Sequence, residues 1–470
     1  MGKPQLFTAR SPMPVSAEAL FRWHALPGAL ERLTPPWESI EVLERSGAPG
    51  IEVGARVAIR MQLGPLPRRW EAEHTRCEPG VLFEDRQVSG PFARWVHTHR
   101  MHAQGPAHSV LEDAIEYALP AGPLGRVVAG RFARGQLERT FAYRHALTRA
   151  DLQRHQAFAA LGPQCVAVSG ASGLIGSALT AFLGGGGHAV RRLVRGSAGP
   201  GEVAWDVERR LVDAEALEGV DAVVHLAGAS IGEGRWTEER KEAIRRSRTV
   251  GTRVLCEALA RLRRRPRVLV CGSAVGFYGS RGDEPLTEAS SAGDDFLAEV
   301  TREWEAATAP AADAGIRVVH LRSGMVLSPR GGALAKLLPA FRYGAGGRVG
   351  SGQQWVSWIS IEDVLGLIQH ALFDETLRGP VNAVAPQAVR QKELAQALGR
   401  VLHRPALAPL PAPAVRAAFG EMGQVLLLGG QLVVPSVAHA HGFTFLYPEL
   451  APALRFLLGR TREGVEFGGR

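Results

Sequence analysis

Val166-Ala167-Val168-Ser169-Gly170-Ala171-Ser172-Gly173-Leu174-Ile175-Gly176 is the stretch whose reading decides the fold. A short apolar run leads into three glycines spaced GxxGxxG, and Leu174, Ile175 and Leu179 then recur as the inner side of a helix. Each glycine has a physical task there. Gly170 permits a sharp turn, Gly173 lets the backbone approach a pyrophosphate, and Gly176 allows close packing of helix on strand. The unpaired N–H groups and positive dipole end of the helix complete a phosphate site. The expected ligand is a nicotinamide dinucleotide.

Downstream the pattern repeats as strand, turn, helix. Strands are expected at 165–169, 188–194, 222–226, 267–271 and 316–321, with helices at 174–183 and 239–260. Such alternation builds a doubly wound parallel sheet. The end of the second strand selects the cofactor, since a carboxylate there accepts from a ribose 2′-hydroxyl and an arginine neutralises a 2′-phosphate. Arg191-Arg192-Leu193-Val194-Arg195-Gly196 contains no carboxylate. Arg195 is therefore the candidate for the 2′-phosphate, and NADP(H) the expected cofactor. Asp221-Ala222-Val223-Val224-His225-Leu226-Ala227-Gly228-Ala229 is a buried strand ending in small residues that leave room for the dinucleotide.

Before residue 160 the texture differs. Strand-like runs at 40–43, 56–63, 70–77, 81–88, 95–103 and 110–119 are broken at Gly47-Ala48-Pro49-Gly50, Gly64-Pro65, Glu78-Pro79-Gly80 and Gly90-Pro91. A helix over 17–23 precedes them and a long one over about 127–158 follows. This order describes an antiparallel sheet wrapped around a helix. Trp70, Phe83, Trp95, Phe132 and Phe141 either line a cavity or fill a core. His97, His99 and His102 lie on one strand, but no convergent partners are visible, so they are read as solvated or hydrogen-bonded and no metal is assigned.

The 470 residues divide into expected domains at 1–158, 163–403 and 404–465. A net charge of +9 raises the question of nucleic acid, yet lysine occurs only at Lys3, Lys241, Lys336 and Lys392. The scattered arginines read as the composition of a GC-rich genome, which argues against a nucleic-acid partner. No run of apolar residues is long enough to span a membrane, and no apolar signal region opens the chain. Cys77, Cys165, Cys256 and Cys271 show no metal or disulfide spacing, as expected of a reduced, cytoplasmic protein.

The second part, about 165–458, resembles the extended short-chain dehydrogenases/reductases. More narrowly it is similar to their atypical nucleotide-sugar-epimerase-like (cell-division-inhibitor-like) subgroup. The resemblance rests on GASGLIG, VVHLAGASI, RWTEERKEAIRRSRTVGT, SAVGFYG, LRSGMVLSPRGGAL and GSGQQWVSWISIEDV. It implies that Gly170, Ser172, Gly173, Leu174 and Ile175 form the phosphate loop and that Arg195 meets the 2′-phosphate. Leu226, Ala227, Gly228 and Arg248 would flank the cofactor, and Met325 and Val326 would run beside the nicotinamide. Ser273 matches the serine that orients a substrate. Family members follow it with Tyr-x-x-x-Lys, the tyrosinate moving a proton and the lysine lowering its pKa. Here the corresponding region reads Asp295-Phe296-Leu297-Ala298-Glu299-Val300-Thr301-Arg302-Glu303-Trp304-Glu305, with neither residue. Tyr278 is the candidate substitute. Gln353 and Trp358 either contact a ligand or pack.

The first part, about 1–155, resembles the START/polyketide-cyclase-like helix-grip proteins, which implies a hydrophobic small-molecule ligand. Two functions follow. One is an NADP(H)-dependent oxidoreductase or epimerase acting on a small-molecule substrate. The other is a non-catalytic NADP-binding regulator or scaffold, to which the missing dyad points. A third reading has the first module carry a hydrophobic cargo to the second.

Overall fold

In the first part, period-two alternation sets up a sheet with one face turned inward. The computed structural model describes residues 4–63, 66–120 and 122–469, so Met1-Gly2 and the Gly64-Pro65 break lie outside it. The strands are β1 (Gln5–Met13), β2 (Ile40–Ser46), β3 (Arg56–Leu63), β4 (Leu66–Glu78), β5 (Leu82–Ser89), β6 (Arg94–Ala103) and β7 (Ser109–Ala118). They form one antiparallel sheet in the order β2-β3-β4-β5-β6-β7-β1, closed by the C-terminal strand Glu466–Gly468 against β1. Helices α1 (Ala17–Ala25), α2 (Ala29–Leu33) and the long α3 (Gly122–Ala157) complete the unit. Ser16 caps α1 by accepting from the Ala19 N–H.

β1 was not expected from the sequence, because Ser11 and Pro12 break its apolar alternation. Phe7, Ala9, Ser11 and Met13 nevertheless all point inward. Ser11 is tolerated there because its hydroxyl donates to the Gly464 carbonyl and meets His145 of α3. Phe83, Trp95 and Phe141 are buried in the core, whereas Phe132 is 68% exposed and lines nothing.

In the second part, apolar runs buried on both faces make a parallel sheet. Its strands are β8 (Cys165–Ser169), β9 (Ala189–Arg195), β10 (Glu202–Asp206), β11 (Leu211–Val212), β12 (Ala222–His225), β13 (Val268–Ala274), β14 (Arg317–Ser323) and β15 (Gly379–Ala383). The order is β11-β10-β9-β8-β12-β13-β14-β15, parallel throughout except at the β11 edge. The order reverses between β8 and β12, where such sheets open a crevice at the carboxyl ends of their strands. Helices α4 (Leu174–Gly185), α5 (Glu238–Ala260) and α6 (Phe296–Ala306) follow β8, β12 and β13 respectively.

By compactness the chain falls into two units. One comprises Met1–Gly162, Ala181–Gly187 and Arg455–Arg470, the other Pro163–Thr180 and His188–Leu454. The segment from residue 404 to Leu454 lies within the second unit, and the tail beyond it returns to the first. No described helix is long and apolar enough to cross a membrane.

Candidate functional site

Most of the expected cofactor residues lie at the carboxyl ends of the parallel strands or in the turns that follow them, and Arg248 lies on α5. Arg195 closes β9, Gly170 follows β8, Leu226 to Gly228 follow β12, and Ser273 lies near the end of β13. Met325 and Val326 follow β14, in the short strand Met325–Leu327 that pairs with Trp358–Ser360. With neighbouring strands about 4.8 Å apart, Arg195 and Ser273 stand three intervals, or about 14 Å, from each other along this edge.

The glycine loop has the geometry its spacing predicts. Gly170 sits at φ +68°, and a Cβ there would come within 2.8 Å of the Leu226 backbone and 2.9 Å of the Ala227 nitrogen. A Cβ on Gly176 would meet the Gly170 carbonyl oxygen at 2.1 Å, so the helix seats directly on the turn. Gly173 and Ser172 are exposed at the loop, and Ile175 is half-buried. Leu174 reaches across to the segment after Val326: a Cβ on Gly331 would lie 3.2 Å from its Cδ1.

Two features below this loop escaped sequence reasoning. The Ser169 hydroxyl accepts from the backbone N–H groups of Leu226 and Ala227 and meets His225 Nδ1 at 2.6 Å. His225 Nε2 lies 3.0 Å from the Thr252 hydroxyl on α5. Burial pushes the His225 pKa down to about 4, so the ring is a neutral strut tying β8, β12 and α5 together.

Of the three arginines on β9, Arg191 donates to the Ala216 and Glu218 carbonyls and Arg192 pairs with Glu202. Arg195 is exposed and has no ion-pair partner among the described residues. Arg248 donates to the Ala229 and Ile244 carbonyls, and its guanidinium lies within about 3.5 Å of where a Gly228 Cβ would be. Burial lowers its pKa to about 10, which leaves it charged at neutral pH.

At the other end of the edge, Ser273 does not stand free. Its hydroxyl donates to Glu305 Oε1 at 2.6 Å, and the Arg322 fork grips both oxygens of the same carboxylate at 2.8 Å. Burial pushes the Glu305 carboxyl up, but the hydrogen bonds from Arg322 and Ser273 outweigh it and hold the pKa below its usual value. Arg322 also donates to the Tyr278 hydroxyl at 3.0 Å, which itself donates to Asn382 Oδ1 at 2.7 Å. Tyr278 is fully buried, and burial raises its pKa against the opposing pull of Arg322. Glu305 ends the stretch in which the sequence offers no Tyr or Lys. Nothing local signals the pairing, because Glu305 lies on α6 and its partner Arg322 arrives on β14. Trp358 is fully buried with its indole N–H on the Gln387 carbonyl, so it packs. Gln353 is exposed.

In the first unit, His102 is exposed, while His97 and His99 are buried and His97 is hydrogen-bonded to Asp113. Neighbouring strands supply the convergent partners that the sequence did not reveal, namely Asp85 of β5 and Asp113 of β7.

The sheet order and glycine loop agree with the comparisons. The NAD dependent epimerase/dehydratase family matches residues 166–381, the family called Domain of unknown function (DUF1731) matches 410–457, and Polyketide cyclase / dehydrase and lipid transport matches 13–142. An epimerase family protein of Mycobacterium tuberculosis is 44% identical over 296 residues, 63% of this chain and 98% of its own. The chain belongs to the epimerase family of extended short-chain dehydrogenases/reductases. Its first unit is a polyketide-cyclase/START-like domain. The human epimerase family protein SDR39U1 is 39% identical over 293 residues, covering 62% of this chain and 98% of the human one. The structure of that human protein with NADPH has a TM-score of 0.58 at 36% identity, over 63% of this chain and 99% of that one. A structure described as the nucleoside-diphosphate sugar epimerase from Corynebacterium glutamicum matches over 96% of this chain and 90% of its own, with a TM-score of 0.79 and 34% identity.

Proposed function

We propose that this epimerase-family chain binds NADP(H) along the carboxyl edge of its parallel sheet, with the 2′-phosphate on Arg195 and the pyrophosphate over Gly170, Ser172, Gly173, Leu174, Ile175 and Gly176. In this reading the dinucleotide passes Leu226, Ala227, Gly228 and Arg248, and its nicotinamide lies by Met325 and Val326. The observation that carries it is Arg195, a charged side chain without an ionic partner at the strand end where the ribose is read, beside two arginines whose donors are occupied. An exposed cation without a carboxylate neighbour favours a phosphate over a hydroxyl. The NADPH in the human relative supports the same choice. A small-molecule substrate would meet the nicotinamide near Ser273, as in an oxidoreductase or epimerase. Equilibrium titration with NADPH and NADH tests the cofactor, and turnover of NADPH with a panel of carbonyl compounds and nucleotide sugars tests the reaction.

One observation favours the second reading, a non-catalytic NADP-binding regulator. The Ser273 proton is committed to a carboxylate that Arg322 keeps ionised, and Tyr278 is sealed between Arg322 and Asn382. No group in that network is poised to donate and recover a proton near neutral pH. Here Tyr278 acts as a positioning residue for Arg322. NADPH binding without turnover on any panel member supports this reading, and turnover that Ser273→Ala abolishes overturns it. The four free cysteines suit a reducing cytoplasm, and the first unit is assigned a hydrophobic ligand by its domain type.

A further inference from the structure

The interior of a polyketide-cyclase/START-like domain is expected to be apolar, yet this one gathers charge at its centre. β4, β5, β6 and β7 are neighbours in the sheet, and their registers place His74 opposite Asp85, Asp85 opposite His97, and His99 opposite Asp113. Cross-strand partners share one face. A row of donors therefore crosses four strands on the inner side.

The two histidines have a consistent polarity. One nitrogen of each ring faces Asp85: His97 Nδ1 lies 3.4 Å from Asp85 Oδ2, and His99 Nε2 lies 3.8 Å from the same oxygen. The other nitrogen of each ring faces Asp113: His97 Nε2 at 2.8 Å and His99 Nδ1 at 2.6 Å, both on Oδ1. The second oxygen of Asp113 meets His145 Nε2 of α3 at 2.6 Å, and His145 Nδ1 meets the Ser11 hydroxyl at 2.8 Å.

We propose that Asp85, His97 and His99 form a site for one divalent transition-metal ion of the zinc class, with Asp113 as the outer carboxylate that orients both imidazoles. The three donor atoms lie within 4.8 Å of one another. Bonds of about 2.0–2.1 Å around a tetrahedral centre put donors about 3.3 Å apart. The two separations from Asp85, 3.4 and 3.8 Å, are close to that, and the two ring nitrogens lie within 4.8 Å of each other. Two imidazoles and one carboxylate make a ligand set that zinc or ferrous iron takes with a coordination position left open. Metal-bound histidines usually donate their second N–H to a carboxylate; the Asp113 carboxylate takes this place for His97, by a hydrogen bond, and lies 2.6 Å from His99 Nδ1. Asp85 as ligand and Asp113 behind the rings set two carboxylates against the dication. His74, whose buried Nδ1 has no hydrogen-bond partner, is a further donor beside Asp85.

The test is zinc binding to the full-length, chelator-stripped chain, measured by calorimetry, with Co²⁺ absorption reporting the ligand field. One ion per chain is expected, with visible Co²⁺ bands of a low-coordinate nitrogen–oxygen site. Asp85→Asn and His99→Ala should each weaken zinc at least about tenfold, and Asp113→Asn, in the outer position, by about 10–100-fold. His102→Ala, on the same strand but exposed, should leave binding unchanged. NADPH binding by each variant reports whether the rest of the chain is intact. Absence of stoichiometric zinc binding by the wild-type chain overturns the proposal. Binding that survives Asp85→Asn, or that is lost in His102→Ala, assigns the ion to the surface and overturns it equally.

Discussion

Replacing Glu305 with glutamine isolates the buried ion pair that stands beside Ser273 at the end of β13. Its partner Arg322 has a side chain only 4% exposed, and Glu305 is 13% exposed, so water cannot take over the lost charge. Breaking a buried pair at one partner costs about 3–5 kcal/mol, because the remaining charge is left uncompensated. Glutamine keeps one acceptor for Arg322, and the Tyr278 hydroxyl and the Phe277 ring, 3.5 Å from the guanidinium, stay in place. The cost therefore falls at the lower end, about 3 kcal/mol. At about 2.1 cal/mol/K of unfolding entropy per residue, a unit of this size loses a little under 2 °C per kcal/mol, so the melting temperature of the second unit should fall by about 5 °C. Ser273→Ala removes one hydrogen bond from a carboxylate that keeps two from Arg322, so it should cost less, about 1–2 kcal/mol. Differential scanning calorimetry with and without NADPH separates the nucleotide-stabilised transition from that of the first unit. If Glu305→Gln melts within about 2 °C of wild type, or Ser273→Ala is the more damaging change, the network does not hold this end of the site together.

Gly170→Ala should abolish NADPH binding and destabilise the second unit. A left-handed residue costs roughly 1–2 kcal/mol without glycine, and the new Cβ would lie 2.8 Å from the Leu226 backbone; retention of wild-type affinity would disprove the role given to this turn. His225 predicts a pH dependence with a definite sign. Its pKa is 6.5 when unfolded and about 4 when folded, so the unfolded state takes up the extra proton between these values. The stability it contributes is full above about pH 6.5 and declines as pH falls towards 4. The loss is about 2 kcal/mol by pH 5 and about 3 kcal/mol in total. Melting profiles between pH 8 and 5 should fall less steeply in His225→Gln than in wild type, and parallel profiles would contradict the assignment.

The parts of the fold legible in the sequence are those fixed by local chemistry. Gly170 and Gly176 occupy positions where a side chain would collide with backbone, so they announce the turn by themselves. The strands at 165–169 and 222–225 are apolar because both faces are buried. β1 was hidden because its inward Ser11 is justified only by His145 and by a carbonyl from the far end of the chain. β10 and β15 were hidden as well, each a short run of five residues. The same reasoning divides the candidate site. The place of Arg195 is legible because it closes a strand the sequence already marks, and the role proposed for it rests on that place. The Glu305–Arg322 pair joins α6 to β14, and the Asp85–His97–His99 cluster joins β5 to β6. In neither case does spacing along the chain indicate that the partners meet.

The central claim is that the unengaged Arg195 reads a 2′-phosphate. Dissociation constants for NADPH and NADH, measured by fluorescence titration on wild type and Arg195→Ala, test it directly. A charge-assisted contact of about 1.5–2 kcal/mol corresponds to roughly 10–30-fold. Wild type should bind NADPH tighter than NADH by at least that factor, and Arg195→Ala should lose the preference while leaving NADH affinity unchanged. Equal affinities in wild type, or a preference that survives the substitution, would contradict the account.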